Sequence, residues 1–166
     1  MTVLQPDDLF ESLNRHGVRY VLIGGLAAVL HGSPLPTVDA DICPANDDDN
    51  LARLAAALED LDARIRTPDT PSGVRFPREA AFLAGVELLN LTTRAGDLDL
   101  AFTPAGTSGY ADLSTRAVGM SVRQMTIPVA SLADVIRSKE AANRPKDRRT
   151  LPVLYQLLEE IQRRQG

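Results

Sequence analysis

The chain has 166 residues, an apolar content of 44% and a formal net charge of −4. This length fits one domain with a buried core, and the net negative charge argues against broad, nonspecific nucleic-acid binding. The single cysteine, Cys43, excludes an intramolecular disulfide and a cysteine-based zinc site. Residues 20–30 form an apolar run too short to span a bilayer, and we find no signal peptide. We therefore expect a cytoplasmic protein that does not enter the membrane.

The first part of the chain predicts a helix, a buried strand and a short second helix. The first helix covers residues 7–15, where apolar residues recur with a helical period. Residues 20–23 are apolar and rich in β-branched side chains, which predicts a buried strand. Gly24 and Gly25 end this strand, and residues 26–30 predict the short helix.

An acidic pattern marks the next predicted strand. Val38, Ala40 and Ile42 alternate with Asp39 and Asp41, so the apolar residues should face the core and the carboxylates the opposite side. Two aspartates separated by one residue on a strand point to the same face and can share metal ions. The glycine turn before them allows backbone N–H groups to approach phosphates. Together these features indicate a nucleotide site.

The middle of the chain predicts a helix, a loop and a pair of strands. The acids at residues 47–49 should cap a helix whose apolar positions begin at Leu51. Residues 66–79 hold three prolines and predict a long loop that borders the substrate cleft. Residues 86–92 and 98–102 predict two strands that pair as a hairpin.

The last part of the chain predicts one strand and two helices. Residues 122–129 should be extended, and Ser131 should cap a helix over residues 132–142. Residues 146–164 predict a closing helix, which Pro152 should either kink or shorten. Basic residues collect here, which suits a phosphate-binding edge opposite the acidic strand. The alternative is a solvated helix face.

These motifs, taken in order, resemble the minimal nucleotidyltransferases of the DNA polymerase β superfamily. In that family a strand leads through a Gly-Gly or Gly-Ser turn and a short helix to an Asp-x-Asp strand, and a third aspartate follows on a later strand. Here Leu-Asp99-Leu resembles the strand of the third aspartate. Residues 131–148 resemble the C-terminal segment of toxin-type members, so the resemblance covers roughly residues 18–160.

The resemblance implies an α/β (α+β) fold in which helices flank a small, mixed, twisted sheet. Residues 1–166 would form a single nucleotidyltransferase domain, with the helical segment 131–166 packing on the site. The implied reaction is a Mg²⁺-dependent transfer of a nucleoside monophosphate from an NTP to an acceptor hydroxyl.

The resemblance also implies a catalytic and metal-binding set of Asp39, Asp41 and Asp99. These aspartates would hold two Mg²⁺ ions, for which Mn²⁺ can substitute, and Asp99 would accept the proton of the attacking hydroxyl. Asp97 lies on the same face as Asp99 and competes for the third position. Its place directly after Gly96 instead predicts a turn residue.

Further residues are expected to bind the NTP. Gly24 and Gly25 would form the triphosphate-binding turn. Thr37 would orient the neighbouring aspartate or face solvent. Lys139 would contact phosphates, as a lysine on this helix does in similar toxin-type enzymes, or be an ordinary exposed lysine. Asp147 would orient this lysine, contact the base or ribose, or serve as a first-turn acid.

The chain departs from its relatives at Leu35, where many of them carry an arginine. Arg75, Arg78 and Arg94 are candidates to replace that arginine. By resemblance to toxin-type members, the acceptor would be the 3′ end of tRNA or a protein such as a cognate antitoxin. The alternatives are a small-molecule acceptor, as in antibiotic-modifying enzymes, and a nucleotide-binding module with weakened catalysis, of which Leu35 would be the sign.

Overall fold

The structure is a computed structural model and describes residues 2–165, so both terminal residues of the predicted domain lie outside the described part. The helices are α1 (Pro6–Arg15), α2 (Gly24–Leu30), α3 (Asp48–Asp60), α4 (Ala80–Leu83), α5 (Tyr110–Ser114), α6 (Leu132–Ala142) and α7 (Pro145–Gln165). The strands are β1 (Tyr20–Ile23), β2 (Asp39–Pro44), β3 (Arg64–Thr67), β4 (Thr70–Val74), β5 (Leu88–Thr93), β6 (Gly96–Ala101), β7 (Val118–Val122) and β8 (Met125–Val129).

All of these strands belong to one mixed sheet, in the order β4-β3-β5-β6-β2-β1-β8-β7. At its centre, β2 pairs with β6 in parallel and with β1 in antiparallel orientation. β5 and β6 form the predicted antiparallel hairpin. A mixed sheet flanked by helices confirms the predicted α/β class.

The core fixes which side of the central strands remains free for a site. Leu9, Phe10 and Leu13 of α1 are fully buried in one cluster with the apolar side chains of the central strands. Ala40 and Ile42 of β2 belong to the same cluster, as predicted. Burial of each large apolar side chain contributes about 1.5–3 kcal/mol, so the face that β2 presents to the core is firmly set.

The prediction that Val38 also faces the core is wrong. β2 begins one residue later, at Asp39, and Val38 is 76% exposed. The prolines that precede it keep the approach to the strand outside the sheet, so the alternation that holds within β2 does not extend to Val38.

Side-chain caps fix the ends of two helices as predicted. The Asp47 carboxylate accepts a hydrogen bond from the Asn50 N–H at 3.0 Å at the start of α3. The Ser131 hydroxyl accepts one from the Asp134 N–H at 3.1 Å at the start of α6. Asn143, with a φ of 50°, then ends α6 in the left-handed conformation, and α7 starts two residues further on. The short turn brings the end of α6 against the start of α7.

The prediction of a long loop over residues 66–79 is wrong, because much of this segment forms the β3–β4 hairpin. Pro68 lies between the two strands. Pro71 lies within β4, which is the edge strand of the sheet and has a neighbour on one side only. An edge strand tolerates a missing N–H, so the proline does not prevent pairing.

One further expectation about the last part of the chain is wrong, and of the two alternatives for Pro152 a later start of the helix is excluded. Residues 122–129 form no single strand, because Arg123 adopts a φ of 55° and the chain turns there between β7 and β8. α7 also contains Pro152 without starting after it. Burial of Leu151 and Leu154 on either side opposes the proline's penalty of about 3 kcal/mol. Within residues 2–165, no helix combines the length and apolar character needed to cross a membrane.

Candidate active site

Four aspartates form a two-by-two array on the central strands β2 and β6. The parallel register pairs Asp39 with Asp97 and Asp41 with Asp99. Because these residues alternate along their strands with buried apolar side chains, all of them lie on the side of the sheet opposite the core. We call Asp39, Asp41, Asp97 and Asp99 the carboxylate array.

Asp97 lies within β6, so the prediction that it is a turn residue is wrong. The turn of the β5–β6 hairpin is shorter than the sequence suggested, because Thr93 pairs directly with Gly96. The Thr93 hydroxyl donates to the Gly96 carbonyl oxygen at 2.7 Å and closes the turn from within. Gly96, with a φ of 109°, adopts a conformation that L side chains rarely reach.

Three members of the array are arranged as a metal site requires. Asp39, Asp41 and Asp99 each offer one carboxylate oxygen, and these oxygens lie within 4.8 Å of one another. Burial, together with the charges of Asp39 and Asp99, raises the pKa of Asp41 to about 7. A divalent cation would relieve this repulsion, and carboxylate oxygens are ligands that Mg²⁺ and Mn²⁺ accept. The residues therefore fit such an ion.

The glycine turn lies directly against the array. Gly24 has a φ of 70°, and a Cβ atom there would come within 2.5 Å of an Asp41 carboxylate oxygen. A side chain at Gly25 would meet the Thr37 hydroxyl at 3.0 Å. The structure therefore brings the predicted turn and the predicted aspartates together, and it shows why a glycine is needed at the first position.

Thr37 acts on the backbone rather than on a carboxylate. Its hydroxyl donates to the carbonyl oxygen of Asp39 at 3.2 Å. This bond fixes the chain at the entrance to β2 and so sets the position of Asp39 indirectly.

Lys139 and Asp147 form a pair, with only the lysine facing the cavity. The Lys139 Nζ lies 3.6 Å from an Asp147 oxygen, and the Asp147 carboxylate is fully buried. Asp147 also accepts hydrogen bonds from the Arg144 backbone N–H at 3.1 Å and from its Nε at 2.7 Å. Although burial acts to raise it, the pKa of Asp147 is lowered by the bonds from Arg144 and by the charge of Lys139. The position of Asp147 in the first turn of α7 confirms the alternative of a first-turn acid, and its contact with Lys139 supports a role in orienting that lysine as well.

Sequence reasoning did not single out Lys146. This residue is exposed, lines the same cavity as Lys139, and lies in the first turn of α7. The charges of Lys146 and Lys139 both act to lower the pKa of Asp41, which places two cations across the cavity from the array. The docking of α7 against α6 places Lys146 and Arg144 on the cavity wall, whereas Arg148 and Arg149 do not line it.

Arg66 is the second residue that sequence reasoning missed. Its Nη2 donates to Asp99 Oδ1 at 3.0 Å, and its Nη1 lies 3.4 Å from Asp97 Oδ2. Burial raises the pKa of Asp99, and the charge of Arg66 acts in the opposite direction. The polar and apolar alternation of residues 64–67, Arg-Ile-Arg-Thr, was the available signal for a strand with both arginines on one face.

The arginines considered as replacements at Leu35 do not reach the site. Arg78 pairs with Glu59 at 3.0 Å, and Arg94 donates to the Asp60 carbonyl oxygen at 3.0 Å, both near the end of α3. Arg75, Arg78 and Arg94 are all absent from the residues that line the cavity, whereas Leu35 and Arg66 line it.

One cavity of about 820 Å³ connects these groups. Its walls come from the glycine turn, the array strands, α6 and the first turns of α7. Cavities of roughly 300–1,000 Å³ typically hold ligands of drug or nucleotide size. The cavity therefore has acids on its sheet side and amines on its helix side, a distribution that suits a metal-bound polyphosphate.

No family model matches the sequence, and no curated protein matches it. The fold is similar to that of TM1012, a candidate nucleotidyltransferase from Thermotoga maritima, with 18% identity, a TM-score of 0.58, and coverage of 96% of this chain and 97% of that chain. It is also similar to the lincomycin-bound lincosamide antibiotic adenylyltransferase LnuA, with 18% identity, a TM-score of 0.61, and coverage of 94% and 99%. The chain thus has a nucleotidyltransferase fold, as the resemblance implied.

Proposed function

We propose that this protein is a metal-dependent nucleotidyltransferase that moves a nucleoside monophosphate from an NTP to an acceptor hydroxyl. A bond forms between the acceptor oxygen and the α-phosphorus, the bond to the pyrophosphate oxygen breaks, and the hydroxyl proton leaves. The observation that carries the proposal is the carboxylate array, which lies against the Gly24 turn in a cavity that also holds Lys139 and Lys146.

Members of the array on the two strands would have different roles in the reaction. Asp39, Asp41 and Asp99 would hold two Mg²⁺ or Mn²⁺ ions, which when bound would neutralise charge on the phosphoryl oxygens and activate the attacking oxygen. Asp99 lies on β6, beside which the cavity continues along Arg66 of β3 and Asn90 of β5. It is therefore the carboxylate placed to accept the proton from an acceptor on that side.

The opposite side of the cavity would hold the triphosphate. Lys139 and Lys146 supply positive charge there, and the glycine turn allows the phosphates to approach the backbone. Asp147 holds Lys139 in place through its buried carboxylate. We also propose that residues 1–166 act as one domain, in which segment 131–166 covers this donor side.

Two classes of acceptor have separate support. The fold likeness to LnuA, an antibiotic adenylyltransferase, favours a small molecule with a free hydroxyl. Exposed arginines of α7 favour a macromolecule, either the 3′ end of tRNA or a protein such as a cognate antitoxin in a toxin-type system. These arginines are Arg148, Arg149, Arg163 and Arg164.

The test is incubation with each α-³²P-labelled NTP and Mg²⁺, in the presence of total tRNA, of lincomycin and related hydroxyl compounds, or of the protein alone. Label on one acceptor, lost in Asp39→Ala/Asp41→Ala, would establish the reaction and its acceptor class. Asp49→Asn is the matched control, because Asp49 is 69% exposed and, within residues 2–165, forms an ion pair with Arg53 only. NTP binding without label on any acceptor would support the weakened module, and absence of both would overturn the proposal.

A further inference from the structure

Arg66 reaches from β3 across β5 to the carboxylate array. It contacts both array members on β6, Asp99 at 3.0 Å and Asp97 at 3.4 Å. Within the described residues, no other basic side chain forms an ion pair with the array. The β2 members, Asp39 and Asp41, therefore face the cavity without a direct cation partner, while the β6 members share one.

A backbone contact fixes the guanidinium independently of the carboxylates. Arg66 Nη1 donates to the Leu91 carbonyl oxygen of β5 at 2.7 Å, and the side chain is only 24% exposed. A planar guanidinium can bond a carbonyl and a carboxylate at once with fixed geometry, which a lysine ammonium on a flexible stem cannot reproduce. The position of the cation is thus set by the sheet itself.

Resting on the proposed function, we propose that Arg66 is a positioning residue. Its guanidinium, anchored on Leu91, holds the Asp99 carboxylate toward the acceptor side and keeps Asp97 out of the metal-binding set. Asp97 and Asp99 lie on the same face of the same strand, so the sheet alone does not choose between them. The arginine supplies that choice through two different contacts: a hydrogen bond at 3.0 Å aligns Asp99, and an ion pair at 3.4 Å offsets the charge of Asp97, whose oxygens are not among the clustered ones.

A double-mutant cycle tests whether Arg66 keeps Asp97 out of the metal-binding set, and it does not require nucleotidyl transfer to occur. The readout is the affinity for Mn²⁺ alone, measured by calorimetry on the full chain in the absence of nucleotide. In the wild-type background, Asp97→Asn should change the Mn²⁺ affinity by less than about threefold, because Arg66 already neutralises Asp97. In the Arg66→Gln background, Asp97→Asn should weaken Mn²⁺ binding by about tenfold, because Asp97 is then free to bind the ion. Equal effects in the two backgrounds would overturn the proposal.

Kinetics of transfer test the positioning of Asp99. Arg66→Gln should lower kcat about 100-fold and leave the KM for the NTP within about twofold, since the donor side lies across the cavity. Arg66→Lys keeps the positive charge but cannot bond the Leu91 carbonyl and the Asp99 carboxylate at once, so its kcat should remain at least about tenfold below that of the wild type. Wild-type kcat in Arg66→Lys, or a raised KM with unchanged kcat in Arg66→Gln, would overturn the proposal.

The chain offers a matched control for both measurements. Arg64 lies two residues away on the same strand and face, but it contacts Asp62, at 3.5 Å, and no array member. Arg64→Gln should therefore leave Mn²⁺ affinity and kcat unchanged. If the wild-type protein transfers no nucleotide to any acceptor, the proposed function fails, and the Mn²⁺ cycle still decides the role of Arg66.

Discussion

The protein contains two groups of partly or fully buried aspartates with opposite electrostatic character. In the carboxylate array, acids face one another with a single arginine between them, and the pKa of Asp41 is raised to about 7 by burial and by its neighbours. Near the C-terminal helices lies a paired set, which consists of Asp112, Asp134 and Asp147. Two of its members are more buried than the array, yet each member contacts two cationic side chains.

The paired set shows how the fold normally satisfies buried charge. Arg116 donates to Asp112 at 2.6 Å and to Asp134 at 2.8 Å, and Arg137 adds a further bond to Asp112 at 3.0 Å. A backbone hydrogen bond from Ser108, followed by the arginine contacts, lowers the pKa of Asp112 to about 2. The contrast teaches that burial alone does not mark a site. A site is indicated instead by clustered carboxylates that have too few cationic partners within the protein, because a bound ligand must then supply the missing positive charge.

The largest expected effect removes a charge from the array. Asp41→Asn should reduce nucleotidyl transfer by about 10³-fold or more, because the metal-binding set loses a ligand. The same variant should not lower the thermal stability of the metal-free protein, since it also removes a source of repulsion. Transfer assays measure the loss of activity, and melting curves in EDTA measure the stability of the metal-free protein. A large loss of stability in Asp41→Asn would contradict the distinction between the two groups.

Divalent ions should stabilise the protein through the array alone. Mg²⁺ at a hundred times its dissociation constant should raise the free energy of unfolding by about 2.7 kcal/mol. This gain should disappear in Asp99→Asn and persist in Asp112→Asn. Urea unfolding with and without Mg²⁺ measures it. An equal gain in all three proteins would place the ion elsewhere.

Asp147 should behave in the opposite way to Asp41. Asp147→Asn loses charged hydrogen bonds with Arg144 and the ion pair with Lys139, so the free energy of unfolding should fall by about 2 kcal/mol. Because Lys139 then loses its support, the KM for the NTP should rise while kcat changes less. Glu159→Gln on the exposed face of α7 is the control, and urea unfolding should not distinguish it from wild type.

The two groups also differ in how far the sequence alone could reveal them. The Asp39 and Asp41 pair, its apolar neighbours and the glycine turn are local patterns, so their spacing predicted both the strand and the facing side. Arg66 depends on β3 pairing with β5, a contact between distant parts of the chain. The prolines that follow Arg66 favoured a loop, and the hairpin forms because Pro71 lies in β4, the edge strand of the sheet. Three roles remained open for Asp147, because its burial depends on how α6 and α7 dock.

The final expected effect is a pair of opposite pH dependences in metal-free protein. Since folding lowers the pKa of Asp112 to about 2, its contribution to stability is present above the unfolded value of about 3.9 and is lost as the pH falls toward 2. Folding raises the pKa of Asp41 to about 7, so its ionisation disfavours the folded state progressively as the pH rises from about 4 to 7. Melting temperatures measured across this range in EDTA should show both slopes. Asp112→Asn should flatten only the acid slope and Asp41→Asn only the neutral one, whereas a change in the same slope for both variants would mean that the two groups titrate as one.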